Sequence, residues 1–199
     1  VAWGRNNKGQ CNAPAPNAGY VAVSSSPRHI LCLRSDGSLA AWGWDRYDQT
    51  VVPAPNSGFL AVAAGGRHSV ALRSDGSLIA WGDSSFGQLR LPAPNTDFVA
   101  LAAGGYHTLG LKSDGSIAAW GQNFYGQCNV PGSNSSFVAV AAGDLHSLGL
   151  KADGSVVAWG ENNAGQRNVP LPNSGFIAVA AGAYHSLGLK GDGSIVPWG

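Results

Sequence analysis

Five histidines recur every thirty-nine residues, at His29, His68, His107, His146 and His185. Imidazoles at a fixed step could form a ring of metal ligands or a set of catalytic bases. His-Ser pairs with a distant aspartate (Asp36, Asp75, Asp114, Asp153, Asp192) also resemble the parts of a hydrolase triad. Both readings fail on geometry. A metal site needs ligands converging within a few ångströms, which one histidine per repeat unit does not provide. A triad needs one constellation with an oriented base and an oxyanion site, and each aspartate here belongs to a turn at the far end of the strand that carries the histidine. The histidines share a strand face with leucine or valine, so they are expected to be half-buried, bonding backbone between repeat units. No catalytic residue, metal or cofactor is expected, and the chain reads as a non-enzyme.

The thiols are equally modest. Cys32 stands where other repeats have Ala71, Gly110, Gly149 and Gly188, so it is expected to be a small buried side chain. Cys11 and Cys128 are equivalent positions three repeats apart. An odd count without framework spacing argues against a disulfide scaffold, with a Cys11 to Cys32 bridge as the one pairing left open. The single glycosylation pattern, Asn134-Ser135-Ser136, replaces the usual Asn-Ser-Gly turn and is read as drift.

The elements that carry these residues follow from the repeat, which is the first signal to seek. Trp-Gly recurs with tryptophan at 3, 42, 81, 120, 159 and 198, and an aromatic recurs at Tyr20, Phe59, Phe98, Phe137 and Phe176, with no insertion or deletion. One unit predicts strands over 98–103, 107–112 and 116–120. Within the second of these, His107, Leu109 and Leu111 alternate with Thr108, Gly110 and Lys112, the period of a strand. Asp-Gly between the second and third strands predicts an antiparallel hairpin with a two-residue type I′ turn. The Asn-Val-Pro run after Gly-Gln predicts a fourth, outer strand, its proline suited to an edge. A four-stranded meander at a fixed step, with alanine and glycine where units crowd together, predicts an all-β propeller of five thirty-nine-residue blades. The ring is either five-bladed or part of a larger one; a solenoid is the weaker alternative. Helical repeats are excluded by several glycines and a proline per unit. One domain over 1–199 is expected, with blades near 20–53, 59–92, 98–131, 137–170, and 176–199 completed by 10–14. In that closure Val1-Ala2-Trp3-Gly4 duplicates the strand that ends in Trp198.

Composition narrows the partners. The 199 residues are 44% hydrophobic and 12% charged, with formal net charge +1 and no methionine. No basic run supplies the electrostatic footprint of a nucleic-acid binder, and no stretch is long and apolar enough for a membrane helix. Neither nucleic acid nor membrane is therefore an expected partner. No leader precedes Val1; compartment cannot be read, although a bacterial source would favour secretion or the cell surface.

The unit His-Ser-Leu-Gly-Leu-Lys-x-Asp-Gly-Ser-x-x-Ala-Trp-Gly-x4-Gly-Gln resembles the regulator of chromosome condensation repeat family over the whole chain. Its short, regular copies, with Val-Pro after Gly-Gln, are similar in style to the bacterial propeller-type β-lactamase inhibitory proteins. The resemblance implies a β-propeller, commonly of seven blades, that acts by binding other proteins. This chain holds five repeats. The tryptophan that plant ultraviolet-B photoreceptors of the family place two residues before the histidine is replaced by Pro27, Gly66, Gly105, Asp144 and Ala183, so light sensing is not implied.

Strands that alternate up and down put two kinds of loop on one face. The lower turns, Ser-Asp-Gly-Ser and Pro-Asn-Ser-Gly, barely vary. The upper loops vary freely and carry Arg5, Lys8, Trp44, Arg46, Tyr47, Arg67, Phe86, Tyr106, Phe124, Tyr125 and Tyr184. Arginine and aromatic residues dominate interface hot spots, so this rim is the expected binding surface, with a protein as the expected partner. Two alternatives stay open, a glycan stacked on the aromatics and an architectural module of a larger surface protein. Copies that disagree at these positions favour one composite protein site over five equal sugar sites.

Overall fold

The structure is a computed structural model that describes residues 2–199; Val1 of the duplicated fragment lies outside them. Among the described residues fifteen strands form five blades. The first holds β1 (Tyr20–Ser25), β2 (His29–Arg34) and β3 (Leu39–Gly43), the second β4 (Phe59–Ala64), β5 (His68–Arg73) and β6 (Leu78–Gly82), and the third β7 (Phe98–Ala103), β8 (His107–Lys112) and β9 (Ile117–Gly121). The fourth holds β10 (Phe137–Ala142), β11 (His146–Lys151) and β12 (Val156–Gly160), and the fifth β13 (Phe176–Ala181), β14 (Ser186–Lys190) and β15 (Ile195–Trp198). Every blade is an antiparallel meander in chain order. First strands of successive blades touch one another, so they line the axis.

The expected fourth strand does not form, and each sheet has three strands. The reason lies in donor supply. Prolines, paired in four copies (Pro14 and Pro16, Pro53 and Pro55, Pro92 and Pro94, Pro170 and Pro172) and single in the remaining one (Pro131), remove N–H groups that a ladder needs. The segment is instead folded into its own turns, such as Asn12 N to Gly9 O at 3.0 Å and Asn129 N to Gly126 O at 2.9 Å. It is pinned to the next blade by a tryptophan: Trp42, Trp81, Trp120, Trp159 and Trp198 each donate Nε1–H to a Gln carbonyl thirty-two residues earlier, at 2.8–3.0 Å. Residues 10–14 hold this place against the first blade through Trp42, and no hydrogen bond joins them to 176–199 among the described residues.

The hairpin turn also differs from the type I′ expectation. Gly115 donates to Lys112 O and Lys112 N donates to Ser116 O. Glycine is the only loop residue with positive φ (Gly115, 78°), which makes this a three-residue loop closed by a left-handed glycine. Asp114 selects it: its Oδ1 accepts from Ser116 N at 2.8 Å and Ser116 Oγ at 2.6 Å, and those bonds hold the carboxyl below the usual carboxylate range. The lower turns are uniform because they join blades. Gly37, Gly76, Gly115 and Gly154 each accept, on their carbonyl, from the N–H of the aromatic that opens the next blade.

The hydrophobic core lies between blades. In each of four clusters, strand-two side chains and the first residue of strand three from one blade meet the phenylalanine and tryptophan of the next, as Leu109, Leu111 and Ile117 meet Phe137 and Trp159. Each such side chain contributes about 1.5–3 kcal/mol on burial. Asn134 clasps the start of the third strand, accepting from Ile117 N at 2.7 Å and donating to Ile117 O at 2.8 Å. The amide of the glycosylation pattern is thus engaged in the fold. Asn134→Ala is expected to cost about 1–3 kcal/mol, read as a lower urea midpoint; an unchanged midpoint would refute the clasp.

The end blades expose what inner blades bury. Ile195 is 66% exposed while its equivalents Leu39, Leu78, Ile117 and Val156 are 1–3% exposed. Trp3 is 86% exposed, against 8% for Trp198.

Candidate binding surface

The histidines link blades, by a bond other than the one expected. His29, His68, His107 and His146 are fully buried, and each Nε2 lies 2.9 Å from a hydroxyl of the following blade, Ser69, Thr108, Ser147 or Ser186. Ser69, Ser147 and Ser186 in turn donate to Gln49, Gln127 and Gln166 carbonyls. Those three hydroxyl protons are committed, so His29, His107 and His146 are neutral Nε2–H donors. Burial is the main cause that drives His107 down to about 3 and His29, His68 and His146 to about 4. His185 is exposed and has no hydroxyl above it. The first blade carries Ile30 at the acceptor position. These side chains are structural, and no group of three or more potential metal ligands gathers among the described residues. Cys11, Cys32 and Cys128 are free, so the Cys11 to Cys32 bridge is not made; Cys32 is buried, and burial pushes Cys128 up to about 12.

The two kinds of variable loop do share one face. Backbone bonds tie them together in the first four blades, from Trp44 N to Arg28 O, Asp83 N to Arg67 O, Gln122 N to Tyr106 O and Glu161 N to Leu145 O. On that frame seven side chains form an unbroken ladder over the first three blades. Arg28 Cζ lies 4.7 Å from the centre of the Trp44 ring, and Trp44 meets Tyr47 edge to face at 5.5 Å. Arg67 is sandwiched between Tyr47 at 5.4 Å and Tyr106 at 5.3 Å, with Nη1 donating to Tyr47 Oη at 3.1 Å. Tyr106 then meets Phe86 at 5.3 Å, and Phe86 meets Phe124 at 5.7 Å. Arg46 lies 5.9 Å over Tyr47.

Of the residues expected on the rim, Trp44, Arg46, Tyr47, Arg67, Phe86, Tyr106 and Phe124 are thus brought together. Arg5 and Lys8 line a separate cleft with Arg28 and Trp44. Tyr184 stands away from the ladder, at an axial mouth that Arg28, Tyr106 and Asp144 also line, and Tyr125 is exposed beside Phe124. Arg28, the upper-loop residue just before His29, completes the ladder. Its signal in the sequence was alignment with Arg67 one repeat later.

Sheets packed side by side about an axis, joined by inter-blade bonds and carrying their variation on one end, define a β-propeller. The chain carries repeats of the regulator of chromosome condensation type: the model described as Regulator of chromosome condensation (RCC1) repeat matches residues 59–88, 98–127 and 137–166. Among solved structures it is similar to the ectodomain of the receptor kinase CR4 from Physcomitrella patens, at 27% identity over 97% of this chain and 55% of that one, with TM-score 0.76. The ectodomain of the receptor kinase ACR4 from Arabidopsis thaliana shares 28% identity over 99% of this chain and 70% of that one, with TM-score 0.74. Prp20p of Saccharomyces cerevisiae, described with its binding properties to Gsp1p and histones, shares the fold at 21% identity and TM-score 0.84, over 99% of this chain and 66% of that one. The chain therefore spans little more than half of the moss ectodomain and about two thirds of the yeast protein. No curated protein sequence matches it.

Proposed function

We propose that the protein is a non-enzymatic scaffold that captures a protein partner on its variable loop face. The observation that carries this is the ladder from Arg28 through Trp44, Tyr47, Arg67, Tyr106 and Phe86 to Phe124. It joins three blades into one composite patch of the residue types that anchor interfaces, and it ends on Phe124, 76% exposed. Nothing in the blade packing requires Phe124 there, because the inter-blade cores are filled by other side chains. The protein binding described for Prp20p supports the same reading at the level of the fold.

A protein fits the surface better than a glycan. Sugars stack on open ring faces, whereas Arg28 lies over Trp44, Arg67 lies over both Tyr47 and Tyr106, and the remaining rings meet edge to face. The test is to pan a random-peptide phage library on the immobilised protein, alongside a variant carrying Trp44→Ala, Tyr47→Ala, Phe124→Ala and Tyr125→Ala. Clones that bind the parent and not the variant, with the variant's circular dichroism and urea midpoint retained, are the expected outcome. No enrichment, or equal binding to both proteins, would overturn the proposal, and selective binding on a glycan array would replace it with the carbohydrate reading.

A further inference from the structure

Beside the near end of the ladder, the turn over residues 5–12 and the first blade enclose a cleft of about 460 Å3, lined by Arg5, Asn7, Lys8, Pro27, Arg28 and Trp44, with Gln10 beneath. Three cations meet there and no carboxylate lines the space. The adjacent Asp45 is turned to its own loop, where Oδ1 accepts from Thr50 N at 2.8 Å. The floor is built. Gln10 accepts from Lys8 N at 2.8 Å and donates to Pro27 O at 3.2 Å, while its carbonyl receives the Trp42 indole.

The cations also keep donors free. Arg28 Cζ sits 4.7 Å over the Trp44 ring and its guanidinium makes no hydrogen bond among the described residues, so its N–H groups are available to an anion. Arg5 uses Nε alone, on Asn7 Oδ1 at 3.0 Å. Comparison of repeats isolates the cleft. The positions of Arg5, Lys8 and Arg28 are Trp44, Tyr47 and Arg67 one repeat on, then Asp83, Phe86 and Tyr106, then Gln122, Tyr125 and Leu145, and only the first set is wholly basic. The acidic upper-loop residues are spread over the face, Asp45 and Asp48 on the first blade, Asp83 on the second, and Asp144 and Glu161 on the fourth; Asp144 lines the axial mouth together with Arg28, and none of them lines the cleft.

We infer that this cleft is a carboxylate-binding subsite, which takes aspartate or glutamate side chains of a protein segment whose apolar part lies over Phe86 and Phe124. The inference rests on the protein-binding reading above and gives the partner a chemistry and a direction. Arg28 and Arg5 would grip the carboxylate through charge-assisted hydrogen bonds, and Lys8 would neutralise a second one nearby.

The test titrates a short polyglutamate peptide into the intact protein and follows the Trp44 indole N–H resonance by NMR, with polyglutamine and inorganic phosphate as companion probes. Polyglutamate is expected to shift that resonance while polyglutamine does not. Arg28→Gln or Lys8→Gln should weaken the titration roughly tenfold, the loss of one charge-assisted bond. Arg90→Gln with Arg167→Gln, which removes charge elsewhere, should leave it unchanged. An unmoved Trp44, or equal weakening by the remote pair, would overturn the subsite. Phosphate acting as strongly as polyglutamate would overturn its assignment to carboxylates. A Phe86→Ala, Phe124→Ala variant should still show the Trp44 shift, so failure of the ladder as a protein-binding surface is told apart from failure of the cleft.

Discussion

Lowering the pH from about 7 to 5 is expected to reduce the protein's resistance to urea steeply, well before carboxylates protonate. The four buried histidines titrate at about 4 or about 3 in the fold against an ordinary 6.5. Above 6.5 both folded and unfolded chains hold them neutral, and they add no pH dependence. Below it the unfolded chain takes up protons that the folded chain refuses, so stability falls with falling pH until the folded values are reached. Each proton contributes about 1.4 kcal/mol per pH unit, and four acting together exceed the margin of an ordinary domain within roughly two units. The cause is burial, which strips the charged imidazole of water. Urea midpoints followed by tryptophan fluorescence measure the slope. A midpoint flat from about pH 7 to 5 would mean that the imidazoles are not held neutral.

Gly121→Ala should be the most damaging small substitution, at about 3–5 kcal/mol or loss of folding. Gly121 closes the third strand with φ of 104°, a conformation that costs an L side chain about 1–3 kcal/mol. A Cβ there would also lie 2.5 Å from Tyr106 O and 2.9 Å from His107 Cα, backbone atoms that cannot turn aside. Gly4 separates the two effects, since it has φ of 109° and nothing within 4 Å of an added Cβ. Gly4→Ala should therefore cost only the backbone strain. Equal urea-midpoint losses for the two variants would show that close approach to the loop is irrelevant.

Much of this was visible in the residues themselves. Alternation in His107 to Lys112 marked β8 with its observed ends, and Asp-Gly marked the hairpin because its chemistry is local. The two errors have physical causes of different range. The outer strand does not form because its prolines withdraw donors, a shortage visible in the sequence that an edge position alone does not excuse. The turn type failed because Ser116 recruits Asp114 into a longer loop, a choice between two local geometries that Asp-Gly alone does not make. The histidine partner was less accessible. Ser147 lies forty residues from His107, and only the stacking of one blade on the next brings them together. For the candidate surface, the variable positions could be read off by comparing copies, yet the order of the ladder could not. Arg67 reaches both Tyr47 and Tyr106 because adjacent blades set their loops side by side, and Arg28 joins only when Trp44 folds under it.

The histidine-to-hydroxyl link has a handedness. Every blade offers an imidazole forward and receives one from behind, except that Ile30 receives nothing and His185 has nothing to reach. Among the described residues the link therefore runs one way along the array, each imidazole reaching forward to a hydroxyl of the next blade and none reaching back.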